Sequence, residues 1–352
     1  MSIDVDLLAR ICEAPGAPGF EKEIRKLVLD ELKGLADEVR TDNMGNVIAL
    51  KKGRSSKKKA MAAAHMDEIG FIVTHIDDKG FIRFNPVGGF DPKTLTSQRV
   101  LVHGKKDLLG VLGCKPIHVM SPEERGKNLK LSDYFIDCGM DKKALEKLVS
   151  VGDAVTRHGP LQELGDCVTV KSLDNRLSVF LLLETLRAFK NSKKKPAYDF
   201  YAAFTVQEEV GLRGANVAAL EVQPDFGFGL DVTLACDIPG CPPQDRVTAL
   251  GEGAAIKIMD SSVICDYRMV AYMKEVAKRH KIAWQPEVLG AGGTDTASLQ
   301  RMVPGGSIAG AVSIPTRHIH QTVETAHKKD IQSCIDLLTA CVAELDKGKW
   351  AF

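Results

Sequence analysis

From Ser172 onward, short apolar runs of strand length alternate with stretches of helix length, and that alternation leaves few folds open. Leu177 to Leu186 is nearly all apolar and reads as a helix buried against the face of a sheet. After a polar loop come a strand over Tyr198 to Val206, a short helix over Arg213 to Leu220 and a strand over Phe226 to Asp231. Strands near Ala255–Ile258, Ala283–Val288 and Ser307–Ile314 then alternate with helices over Tyr267–His280, Thr294–Met302 and Lys328–Leu345. Such a series predicts an α/β fold, a parallel or mixed sheet sandwiched by helices.

The same texture begins at the other end of the chain and is then interrupted. Glu21 to Ala36 reads as an amphipathic helix, with Ile24, Leu27, Val28, Leu32 and Leu35 on one stripe. Val47–Leu50 and Ala60–Ala64 read as strands around the basic run Lys51 to Lys59, which is predicted to be a solvated hairpin turn. From Phe71 to Thr169 short β-like runs alternate with Gly, Asp and Pro turns, and only Lys142 to Val149 looks helical. At 352 residues the chain exceeds what one core usually serves. We therefore expect an α/β domain from residues 1–68 and 170–352, with a small β-rich domain, 69–169, inserted into it.

Charge excludes some partners. Lys plus Arg (47) nearly balances Asp plus Glu (46), so nothing points to nucleic acid or an anionic membrane. Met1 to Arg10 lacks a secretory pattern, and no apolar stretch approaches the roughly 18 residues of a membrane span. The nine cysteines have no repeated spacing, and Cys236 and Cys241 do not fit a zinc-ribbon pair. A cytoplasmic protein with reduced thiols is expected.

Chemistry-bearing residues gather at strand ends and in loops: His65–Met66–Asp67, Asp174–Asn175, Glu208–Glu209, Asp231 and His318–Ile319–His320. The crevice beyond the carboxyl ends of strands is where ligands bind in open α/β sheets, so one shared site is expected. Singly, each has a plain alternative. A lone His there is ordinarily a hydrogen-bonded structural residue, and a lone Asp a helix cap. Glu208–Glu209 resists that reading, because neighbouring carboxylates repel unless a cation or proton settles them. A hydrolytic two-metal site needs about three protein ligands per ion and an open water position. If Asp174 bridges, His65, Asp174 and Asp231 serve one ion, and Asp174, Glu209 and His320 the other. Glu208 is then free to act as general base.

The blocks His65–Met66–Asp67–Glu68–Ile69–Gly70, Leu173–Asp174–Asn175–Arg176, Thr205 to Ala215, Leu230–Asp231–Val232, Gly292–Gly293–Thr294–Asp295 and Ile319–His320 resemble metallopeptidase family 42. These are the tetrahedral aminopeptidases, including glutamyl and deblocking enzymes. The resemblance implies a cytoplasmic two-metal aminopeptidase that removes residues from short peptides with free N-termini. It implies metal ligands His65, Asp174, Glu209, Asp231 and His320, with Asp174 as the bridge and zinc or cobalt as the ions. It implies Glu208 as catalytic base, Asp67 as the carboxylate orienting His65, and a cis bond between Asp174 and Asn175. It also implies a homododecamer built from dimers, joined through the inserted domain and admitting only small peptides.

Two departures stand out: Asn175 where many relatives carry Asp, and His318 and Gln321 where an aromatic and a Ser are frequent. Neither removes a ligand. The alternatives are a related two-metal amidohydrolase acting on acyl-amino acids or blocked N-termini, and a metal-binding scaffold without activity. Some relatives have been labelled cellulases, but a glycosidase needs two flanking carboxylates and no histidine ligands.

Overall fold

The structure is a computed structural model that describes residues 3–352. Two sheets carry the strands. The larger has eleven strands and a mixed arrangement, and the smaller closes into a barrel. The chain is an α/β protein with a large mixed sheet covered by helices, as the alternation predicts.

Four parallel strands form the centre of the large sheet. Ser55–His65 lies between Tyr198–Thr205 and Phe226–Leu234, and Ile308–Arg317 pairs on the far side of Phe226–Leu234. They run parallel, and toward the site their residues are buried and alternate in size rather than polarity. In Phe226–Leu234 the residues Phe226, Phe228, Leu230 and Val232 face the main core beneath the helices Leu173–Ser192 and Lys328–Glu344. The intervening Gly227 and Gly229 face the helix Thr296–Arg301.

Small residues on that second face decide how closely the helices approach. Met61, Ala63, Ala203 and Ala309 lie under Ala218, Ala219 and Leu299 of the two short covering helices. A Cβ at Gly229 would collide with Thr296. Gly229→Ala is therefore expected to destabilise the fold by about 1–3 kcal/mol and to displace the adjoining segment 292–294. Denaturant unfolding measures the first effect, and a crystal structure of the variant shows the second.

The barrel is formed by Gly70–Ile76, Ile82–Val87, Phe135–Asp137, Asp107–Gly113, Arg99–His103 and Ala154–Arg157, in that order around its wall. It has a core of its own that includes Phe71, Val73, Val100, Ile136 and Val155. Phe71 stacks on Phe90 with centroids 4.4 Å apart.

Two details differ from the sequence reading. Gln162–Leu164 and all but the last residue of Cys167–Val170 fall inside the stretch 69–169, yet both strands join the large sheet, where Cys167–Val170 pairs antiparallel with Glu324–His327. Val168 and Val170 pack into the main core, which draws that strand out of the β-rich segment. The basic run is not a hairpin turn either. Ser55 to Lys59 begin a strand, and Tyr198–Thr205 inserts between it and Val47–Lys51. A parallel neighbour from far along the chain outcompetes the local pairing. No helix among the described residues is long and apolar enough to cross a membrane.

Candidate functional site

Register builds the site. In the parallel pairing Met61 lies opposite Gly227 and Ala63 opposite Gly229. Continuing by two residues sets His65 level with Asp231 on the same face, because side chains alternate with period two. Thr205, the last residue of the next strand, lies opposite His65. Beyond it the chain turns at Gln207, which has φ 54°, and presents Glu208 and Glu209. His320 follows the end of Ile308–Arg317 with φ 65°. Asp174 enters from the first turn of the long helix Leu173–Ser192, and the Asp174–Asn175 bond is cis, as the resemblance implies. Asn175 is the departure noted above. Its amide donates to the Leu230 carbonyl at 2.8 Å, a bond that an ionised Asp has no proton to make.

All seven residues singled out in the sequence converge on one cavity of about 680 Å³, six of them lining it and Asp67 behind them. Asp174 is central. Its Oδ1 lies 3.3 Å from His65 Nε2, and its Oδ2 lies 3.3 Å from His320 Nε2. Asp231 Oδ1 is 4.0 Å from His65 Nε2, and Glu209 Oε1 is 3.6 Å from His320 Nε2. Two groups that can hold a metal ion result, His65–Asp174–Asp231 and Asp174–Glu209–His320, sharing one aspartate.

The donor set fits two cations. Ligands at about 2.0–2.1 Å around a tetrahedral ion stand roughly 3.3 Å from each other, close to the spacings observed. Glu209 Oε1 is buried without a hydrogen-bond partner, which is costly unless a cation completes it. Protonation tells the same story. Burial and Asp174 push Glu209 up to about 7, and burial drives Glu208 and Asp231 well above the carboxylate range. Burial opposes charge on the imidazoles, yet the surrounding acids hold His65 well above its ordinary value and raise His320 to about 9.

Asp67 does more than face a histidine. Its carboxylate lies 3.5 Å from His65 Nδ1, whose nearer contact is the Asp67 backbone carbonyl at 3.0 Å. The two carboxylate oxygens accept the backbone N–H groups of Glu208 and Glu209 at 3.0 and 3.1 Å. One side chain thus orders the whole Glu–Glu turn.

Several supports had no role in the sequence reading, although Asp295, Glu68 and Arg176 stand in the blocks quoted there. Asp295 accepts the Thr205 hydroxyl at 2.6 Å and is pushed up to about 6 by burial. Glu68 pairs with Lys171 and Arg176 beneath the site, and Arg176 also donates to the Met66 carbonyl. Glu324, four residues after His320, is fully buried. Its strand, Glu324–His327, is otherwise Thr, Ala and His, so no local pattern marks it.

Residues 45–337 match the family described as M42 glutamyl aminopeptidase. The chain belongs to this family. A putative aminopeptidase of Acetivibrio thermocellus is 41% identical over 338 residues, covering 96% of this chain and 98% of the relative. The TET aminopeptidase from a marine sediment archaeon of the Thaumarchaeota superposes with a TM-score of 0.94 at 34% identity, covering 97% and 96% of the two chains. The Pyrococcus horikoshii TET1 peptidase, which can assemble into a tetrahedron or a large octahedral shell, gives 0.86 at 31% identity over 97% and 99%. The family member described here is a metal-dependent aminopeptidase, a peptide hydrolase, and its family implies divalent metal ions.

Proposed function

We propose that this aminopeptidase holds two divalent ions, zinc or cobalt, and removes single residues from the free N-termini of short peptides. The observation that carries the reading is Asp174, which offers one oxygen to each of two complete three-residue groups. His65, Asp174 and Asp231 would hold one ion, and Asp174, Glu209 and His320 the other. When bound, such ions supply Lewis acidity toward a carbonyl and make water a stronger acid.

Glu208 is the carboxylate left over, with Oε2 3.7 Å from His65 Nε2 at the cavity wall. As general base it takes a proton from the attacking water and passes it to the amine that leaves when the peptide bond breaks. Burial raises the affinity of its carboxylate for a proton, the property that a general base uses. Asp67 fixes the turn that aims Glu208 at substrate and Glu209 at the ion-binding group. Phe90, Leu234, Leu289 and Ile319 give the rest of the cavity an apolar lining. Purified protein should contain two equivalents of metal and cleave aminoacyl-anilides but not N-acetylated ones. Turnover of blocked substrates alone would overturn the aminopeptidase assignment in favour of an amidohydrolase.

The barrel supplies none of the ligands in this reading, so it needs another purpose, and we assign it to assembly as the inserted domain. Leu109, Val111, Ile117 and Val119 are exposed on Asp107–Gly113 and the turn after it, an apolar surface suited to contact with another subunit. Likeness to the PhTET1 dodecamer supports a closed shell of twelve chains, for which we take dimers as the building blocks. At 38.2 kDa per chain, light scattering should report about 460 kDa (12 × 38.2). Cleavage should also fade as peptides lengthen. A monomer that trims folded proteins and tripeptides equally well would contradict both expectations.

A further inference from the structure

Glu324 touches none of the ion-facing atoms, yet it grips the backbone beneath two of the residues that carry them. Its Oε2 accepts the Asp174 N–H at 2.8 Å, and its Oε1 accepts the His320 N–H at 2.9 Å. One rigid carboxylate thereby sets the distance between two amides whose side chains meet at 3.3 Å. His320 needs such a hold, because its φ of 65° lies in the left-handed region that non-glycine residues seldom occupy.

The countercharge for Glu324 comes from the other sheet. Arg157 ends the last barrel strand, Ala154–Arg157, and places Nη2 3.6 Å from Glu324 Oε1. Its side chain is 3% exposed, and Glu324 is its one ion-pair partner among the described residues. Its Nε and Nη1 have no hydrogen-bond partner among the described residues, which leaves Glu324 as the group that answers its charge there. A second tie runs in parallel. The Thr322 hydroxyl donates to Gln98 Oε1 at 2.5 Å, just before the barrel strand Arg99–His103. The loop that bears His320 is therefore fastened to the barrel on both sides of Val323.

We propose that Glu324 is a positioning residue for the Asp174–Glu209–His320 group and that Arg157 anchors it, so a barrel residue sets how tightly the second ion is held. This rests on the two-ion reading above. Removing Arg157 leaves a buried carboxylate beside Asp174 without the guanidinium that balances it. Glu324→Gln keeps the shape but has one acceptor for two N–H groups, so one amide is released.

Zinc titration of the full-length enzyme against a chromophoric chelator, with circular dichroism as the check on folding, tests the proposal. Wild type should bind two equivalents. Glu324→Gln should weaken one of them by roughly 10–100-fold, the usual effect of removing a partner behind a metal ligand. Arg157→Met should weaken the same ion, and Arg157→Lys should restore most of the loss. In the Arg157→Met enzyme kcat should fall at limiting zinc and recover at saturating zinc. If Glu324→Gln does not fold, the Arg157 pair reads the same quantity. A wild type holding one equivalent sinks the two-ion reading. Two equivalents in wild type, with both affinities unchanged or equally weakened in the folded variants, sinks this inference alone.

Discussion

Glu208→Gln is expected to leave fold, assembly and metal content intact while turnover falls by roughly 10²–10⁴-fold. The substitution keeps the size of the side chain and disturbs little around it. The Glu208 backbone N–H still reaches Asp67, and neither group that can hold an ion includes the Glu208 side chain. What disappears is an acceptor for the proton of the attacking water. Loss should therefore appear in kcat, with KM for an aminoacyl-anilide nearly constant, because the peptide is held by other groups. Metal analysis beside steady-state kinetics decides the matter. A metal-replete variant with near-normal kcat would remove Glu208 from the mechanism.

Asp174→Ala should have a still larger effect, because it damages both groups at once. Either histidine could be lost with one group intact, but Asp174 gives Oδ1 to the first and Oδ2 to the second. Without it, Asp231, Glu208 and Glu209 remain buried with no shared cation to balance them. Activity should drop below detection and stay there at high zinc or cobalt. Wild-type enzyme inactivated by chelator should recover when either ion is returned. Its melting temperature should fall on chelation and rise on reloading, since an ion bound only by the folded state stabilises it by mass action. A variant that recovers with added metal would show that each group holds its ion without the shared carboxylate.

Much of this molecule was legible in the chain. Strong period signals and turn chemistry marked the long helices, and Tyr267–His280 begins and ends where the sequence places it. The residues named for the site are legible together, because the adjacent Glu208–Glu209 resists a structural reading and the others complete a ligand set around it. His65, Asp231 and the Glu208–Glu209 turn belong to that set, and parallel register carries the first two to one level. A run of small residues, Ala60 to Ala64, likewise announces a strand buried on both faces.

Other features exist only in three dimensions. Nothing local places Tyr198–Thr205 between Val47–Lys51 and Ser55–His65, since that order depends on pairing over more than a hundred residues. Cys167–Thr169 reads as part of the β-rich segment, and the strand Cys167–Val170 joins the large sheet only because the strand beginning at Glu324 offers it an edge. Asp67 reads as the partner of a histidine, but the tertiary fold brings the backbone of Glu208 and Glu209 within reach of its carboxylate. Arg157 and Glu324 are 167 residues apart and belong to different sheets. The chain by itself determined which residues carry chemistry, through local pattern and side-chain type. Tertiary structure decided which of them meet and what holds them there, because sheet register and the closing of one sheet against another are settled by contacts between distant segments.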